Sequence, residues 1–310
     1  MSTSFALREI ERLDPQRDHQ RIVRLSYCYD FPMEAAIVSI IVLLRSFGAP
    51  RISGILDASG EWSRSGEMRS ATLVRSIVSL VSHGYESPVG RSVISRMNAA
   101  HLAYRSENDE FVYIVARFVF EPIAWNARFG WRPYCAREKE SLFLFWTAVG
   151  RRMHLRDMPE TREALFLFMH RYAQAHCRPA PVNRRLYLSF REVLAGWFPA
   201  PVRPLVRWIL PHALDHDLCD QLMMPASADT GRSAVRAVLR ARSRLVSLLP
   251  QRTEPYPFRT SPPFLYGSGP LIQEPADRSE EGRDTGAPTR SALSWTKRTR
   301  GAATDAAQVL

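Results

Sequence analysis

The stretch FPMEAAIVSIIVLLRSFGAP, residues 31–50, decides the fold. Phe31-Pro32 opens a helix, because proline fits a first turn, where its missing N–H costs nothing. Apolar side chains dominate the positions to Phe47, and Gly48, Ala49 and Pro50 stop the helix. A helix that is apolar nearly all round must be buried, either in a protein interior or in lipid. Its most apolar run, Ala35 to Leu44, is about half of the roughly 20 residues that a bilayer span needs. The stretch therefore predicts a core helix.

Outward from it, apolar periodicity near 3.6 dominates from about residue 33 to about 249, and strand alternation is scarce. Ser53 to Ala58 predicts a short apolar element. Longer helices are predicted from about Met68 to Ser82 and from Pro88 to about Arg105. Asn108 is the expected N-cap of a helix from Asp109 to Phe120, with Asp109 and Glu110 in its first turn. Gly130 to Tyr134 reads as a turn, and Arg137 to Gly150 as the next helix. Another helix starts at Asp157-Met158-Pro159 and ends near Cys177. Shorter segments at 184–197, 202–210 and 212–224 are punctuated by prolines. Arg232 to Leu249 reads as a last amphipathic helix with a basic face. Residues 251–310 are rich in Pro, Gly, Ser and Thr and lack periodicity, which predicts a disordered tail. The expected fold is all-α: an N-terminal segment over 1–30, one multi-helix domain over 31–250, and the tail.

Composition narrows the function. The chain has 310 residues, 45% of them hydrophobic, and a net charge of +11. Lys139 and Lys297 are its only lysines; the rest of the basic charge is arginine, scattered through amphipathic segments. No nucleic-acid-binding motif accompanies that charge, so no nucleic-acid partner is expected. Residues 1–20 are charged and lack an apolar export core. Cys28, Cys135, Cys177 and Cys219 show neither disulfide-scaffold density nor CxxC spacing. Reduced thiols in a cytoplasmic protein are the expectation.

Several blocks stand in order along the chain: Phe47-Gly48-Ala49-Pro50-Arg51, Ser59-Gly60-Glu61-Trp62, Arg96 to Arg105 (RMNAAHLAYR), Asn108 to Tyr113 (NDEFVY), Phe118-Val119-Phe120-Glu121-Pro122, Phe129-Gly130-Trp131-Arg132-Pro133, Gly150-Arg151-Arg152-Met153 and Asp157-Met158-Pro159. In order and spacing they resemble the catalytic domain shared by MpaB and latex-clearing protein, from about Phe31 to Pro250. That resemblance implies an all-helical domain enclosing haem b, and dioxygen-dependent cleavage of carbon–carbon double bonds in isoprenoid chains.

It also implies site residues. His101, in the R-x4-H-x3-R pattern of Arg96, His101 and Arg105, corresponds to the histidine on the proximal face of the haem, and a neutral imidazole suits iron. By residue pattern alone, a histidine between Met97 and Tyr104 on one helix face, with no ligand cluster beside it, reads first as an ordinary core or surface residue, and only the resemblance turns it toward iron. Arg96 and Arg105 are candidates for the haem propionates, since arginine forks match carboxylates. Arg69 and Thr72, one turn apart, correspond to polar residues on the distal side, with a spacing that differs by one residue. Asp109, Arg132 and Glu138 are further family-marked positions. Glu138 shares an apolar face with Leu142, Phe145 and Val149, so it should be buried and need a partner; Arg132 is the candidate. Such a pair serves either structure or acid–base chemistry.

His170, with Phe166, Met169 and Ala173, is the rival iron ligand. His154 reads as exposed, and His212 and His216 as ordinary surface residues. Phe143, Phe145, Trp146, Phe166 and Phe168 read as core or as apolar pocket wall. The expected activity is a haem-dependent oxygenase acting with dioxygen on a hydrophobic, isoprenoid-like substrate. The alternatives are a helical binding protein that kept the fold without the haem, or a peripheral membrane protein resting on the basic helix at 232–252.

Overall fold

Prolines and polar caps set the helix starts. The computed structural model describes residues 4–59, 73–102, 106–224, 229–256 and 258. Ser4 caps α1 (Phe5–Ile10), its hydroxyl accepting from the Leu7 amide. Asp14 caps α2 (Pro15–Leu25), whose first residue is a proline. The chain passes through a π-helical turn, Ser26–Asp30, and bends by 106° into α3 (Pro32–Phe47). There follow α4 (Pro50–Ala58), α5 (Leu73–His83), α6 (Pro88–Leu102), α7 (Asn108–Phe129), α8 (Ala136–Arg152), α9 (Arg162–His176) and α10 (Pro181–Gly196). A 3₁₀ turn (Ala200–Val202) leads into α11 (Arg203–Ala213), α12 (His216–Gln221) and α13 (Asp229–Leu248). Every regular element among the described residues is helical, so the fold is all-α.

The core is a succession of packed helices. α2 lies on α8, α8 on α7, and α7 on α3; α9 covers another side of α7. Between them Tyr113, Phe145 and Trp146 are fully buried, with Phe118 stacked on Trp146 at 4.5 Å. α3 occupies the interior that its composition demands: Ala35, Val38, Ile41, Val42, Leu44 and Phe47 are all buried. Asn183, fully buried at the start of α10, donates to the carbonyls of Gly48, Arg178 and Gln221 and so pins that helix to two corners.

The structure departs from the sequence expectations in several places. Residues 4–30 are an integral wall: Ala6, Ile10, Ile22 and Val23 are all buried. α7 begins at Asn108, with Glu107 rather than Asn108 as its N-cap, because Glu107 and Glu110 satisfy each other's exposed amides in a capping box. Asn108 instead clamps the backbone of Arg156, both donating and accepting. α7 also continues through Pro122 to Phe129, since packing on α3 and α8 outweighs the lost hydrogen bond. α9 starts at Arg162 under a Thr161 cap, not at Asp157, which sits at a left-handed φ of 54°. His212 is buried, not a surface residue; its Nδ1 lies 2.6 Å from the Trp208 carbonyl and its ring stacks on that indole. The predicted tail, from 257 onward except Phe258, lies outside the described residues.

Candidate functional site

α6 carries the main candidate. Its first turn is pressed against the preceding backbone at Gly90, where a Cβ would stand 2.0 Å from the Gly84 carbonyl oxygen. From there Gly90, Val93 and Ile94 are buried, and Met97, Asn98 and His101 are partly covered. These positions step by three and four, so they form one inward stripe that ends on His101. The His101 ring lies against Phe111 of α7, with centroids 4.7 Å apart. Asn98, one turn earlier, donates to the Arg152 carbonyl at 3.1 Å and so fixes the helix against the end of α8.

Arg96 is on the other side of α6, exposed and hydrogen-bonded to Ser92 at 3.0 Å, and is not brought to His101. Arg105, Arg69 and Thr72 lie outside the described residues. Asp109 is exposed in the first turn of α7, two residues from Phe111. His170 faces solvent, with its ring edge-on to Phe166 at 4.3 Å. The buried side of α9 is instead Leu165, Met169 and Tyr172, and Phe166 is 44% exposed, so neither Phe166 nor His170 is core.

Arg132 and Glu138 do meet, in a network larger than the sequence suggested. The Arg132 guanidinium donates to both Glu138 oxygens, at 2.7 and 2.8 Å, and to Asp30 Oδ2, at 2.6 and 2.9 Å. Ser26 and the Cys135 amide complete Glu138, and Ser4 donates to Asp30. The Glu138 and Asp30 side chains are 0% and 1% exposed, and the cation lies 4.7 Å over the Phe31 ring. Burial pushes the Asp30 carboxyl above its ordinary range, against the pull of Arg132 and the Ser4 hydrogen bond. Glu138 starts α8, whereas α6 docks at its far end, roughly 20 Å along the helix at 1.5 Å per residue. The network thus ties the N-terminal helices to α8 and stands apart from His101.

A second buried ionic cluster escaped the sequence reading. Arg45 of α3 donates to Glu121 at 2.8 Å and pairs with Asp215, while Arg117 donates to the same Glu121 oxygen at 2.9 Å. The only available signal was an arginine inside the apolar stretch of α3, which had to find an acid wherever it was buried. Burial opposes ionisation of Asp215, but the charge and hydrogen bonds of Arg45 and the Leu218 amide hold it below the ordinary carboxylate range.

Among the described residues no group of three or more His, Cys, Asp or Glu side chains is placed to hold a metal ion. A haem brings its other iron ligands with it, so a single imidazole is enough on the protein's side; His101 is partly covered and lies beside the Phe111 ring. The His101 imidazole is of the type that ligates haem iron.

The profile of the family described as "ER-bound oxygenase mpaB/B'/Rubber oxygenase, catalytic domain" matches residues 69–245, more than half of the chain. The chain belongs to this family. The MpaB-type span takes in α5 to most of α13, and with them His101, Arg132 and Glu138. Two relatives of the same family are similar to the chain. "ER-bound oxygenase mpaB" of Penicillium roqueforti is 24% identical over 127 residues, which is 39% of this chain and 43% of that protein. "ER-bound oxygenase mpaB'" of Penicillium brevicompactum is 21% identical over 235 residues, 70% of this chain and 55% of that protein. This chain thus spans about half the length of these MpaB-type relatives. Among the described residues no single helix is long and apolar enough to cross a membrane.

Proposed function

We propose that this chain is a haem b-dependent oxygenase acting with dioxygen on a hydrophobic, isoprenoid-like substrate. The observation that carries the reading is His101, at the end of an inward stripe inside the family-matched span and against the Phe111 ring. His101 would hold the iron through one imidazole nitrogen. When bound, the haem would supply the redox chemistry with dioxygen. The chain's share is to orient and to exclude water. Gly90 and Asn98 fix α6, and so the height and rotation of His101. Phe111 limits the tilt of the imidazole. Arg105 is the remaining candidate for a propionate, and Arg69 and Thr72 for polar contacts on the opposite side. Arg132 and Glu138 act as a structural brace rather than as an acid–base pair, because they are fully engaged with each other, Asp30 and Ser26.

The test is an absorption spectrum of the purified chain, followed by haemin titration. A Soret band is expected, and His101→Ala should lower haem occupancy far more than His170→Ala. A colourless preparation that takes up no haemin would sink the reading, as would equal effects of the two substitutions.

A further inference from the structure

α13 shows solvent the wrong kind of face. Its inner side is fixed: Val235 and Arg232 are buried, Arg232 donates to the Leu214 carbonyl at 2.8 Å, and Arg242 donates to Glu34 at 2.7 Å. The helix therefore cannot roll. On the outer side, Ala234, Ala237, Val238, Ala241, Leu245 and Leu248 are all exposed. At about 100° per residue they fall within about 60° of one line down the helix. Val238 is 67% exposed, Leu245 64% and Leu248 81%. Scattered apolar residues on a surface mean little, but a continuous stripe marks a contact.

The charge beside the stripe says what it contacts. Arg236, Arg240 and Arg244 are exposed at steps of four, so they form a row along one edge of it. No acidic residue interrupts the helix from Thr230 to Leu248. At the N-terminal end the half-exposed Trp208 ring packs beside Gly231. At the other end Leu249, 59% exposed, also lines a groove of about 520 Å³ with Met33, Trp131 and Arg252. Apolar stripe, arginine edge and an amphipathic indole are the parts of a helix that lies in the plane of a lipid headgroup layer. A protein partner or a second copy would need acids to meet the arginine row; an anionic bilayer supplies phosphates wherever the row lands.

We infer that the outer face of α13 docks on a membrane surface carrying anionic lipids, Leu245 and Leu248 entering the acyl boundary and Arg236, Arg240 and Arg244 meeting phosphates. The full-length protein is sedimented with vesicles of phosphatidylcholine alone and of phosphatidylcholine mixed with phosphatidylglycerol. Binding to the mixed vesicles should be at least about tenfold tighter, and should weaken as salt rises. The double substitution L245E/L248E should lower it at least about tenfold. The triple substitution R236Q/R240Q/R244Q should erase the preference for anionic lipid. All five positions are exposed, so circular dichroism and the melting temperature should stay unchanged. Absence of binding to mixed vesicles overturns the inference, as does binding that L245E/L248E leaves intact. A dimer that L245E/L248E splits, without vesicle binding, overturns it in favour of self-association. None of these readouts involves haem, so the inference stands or falls apart from the oxygenase reading.

Discussion

Arg132 is held between two carboxylates whose side chains have almost no contact with water. Arg132→Met keeps the bulk but strands both Asp30 and Glu138, and should cost about 3–5 kcal/mol of stability in urea denaturation. The asparagine variants of the buried Asp30 and the partly exposed Asp215 should respond to pH in opposite senses. Asp30 has a raised pKa, so its contribution is full at low pH and is lost as pH rises through that raised value. Relative to the parent, Asp30→Asn should therefore gain as pH rises from the ordinary aspartate range toward the raised value. Asp215 has a lowered pKa, so its contribution is present above the ordinary aspartate range and is lost as pH falls through the lowered value. Asp215→Asn should lose ground to the parent as pH rises from the lowered value into the ordinary aspartate range, that is, at more acidic pH than the Asp30 effect. Urea midpoints measured at several pH values check both signs; parallel curves would contradict the two shifts.

At the level of elements, glycines in two helices make opposite predictions. Gly90 in α6 faces backbone, with the Gly84 carbonyl and Tyr85 Cα in the way of any side chain. Gly90→Ala must shift α6, so it should cost about 1–3 kcal/mol and weaken retention of any group held by His101. Gly54 in α4 has nothing within 4 Å, and Gly54→Ala should stabilise by up to about 1 kcal/mol through helix propensity. Thermal melts of the two variants should move in opposite directions. Helices were legible where apolar periodicity was strong, as in α3 and α8. Errors fell at ends, where two caps compete: Asn108 is the better cap by residue type, yet the reciprocal pair Glu107 and Glu110 prevails. Pro122 misled the reading of α7, because local propensity cannot weigh helices packed on both sides. α2 was missed although Asp14-Pro15 is a cap followed by a first-turn proline.

For the molecule as a whole, burial leaves the thiols quiet. All four cysteines are free, and burial raises the pKa of each. Thiol counting at neutral pH should find slow reaction in the folded protein and four rapid equivalents after denaturation. The helical class and the Arg132–Glu138 pair could be read from the chain because each rests on short-range pattern. Asp30, Ser26 and the Arg45–Glu121–Asp215 cluster could not, since they join residues far apart in sequence. The first of these networks also bears on modularity. Arg132 and Glu138 lie inside the family-matched span, yet Ser4, Ser26 and Asp30, which satisfy them, lie before it. A graft of residues 69–245 into a foreign scaffold would leave those charges unsupported and bare the side of α8 that α2 covers. The portable unit reaches back to Ser4, and a soluble, folded 69–245 fragment would refute that.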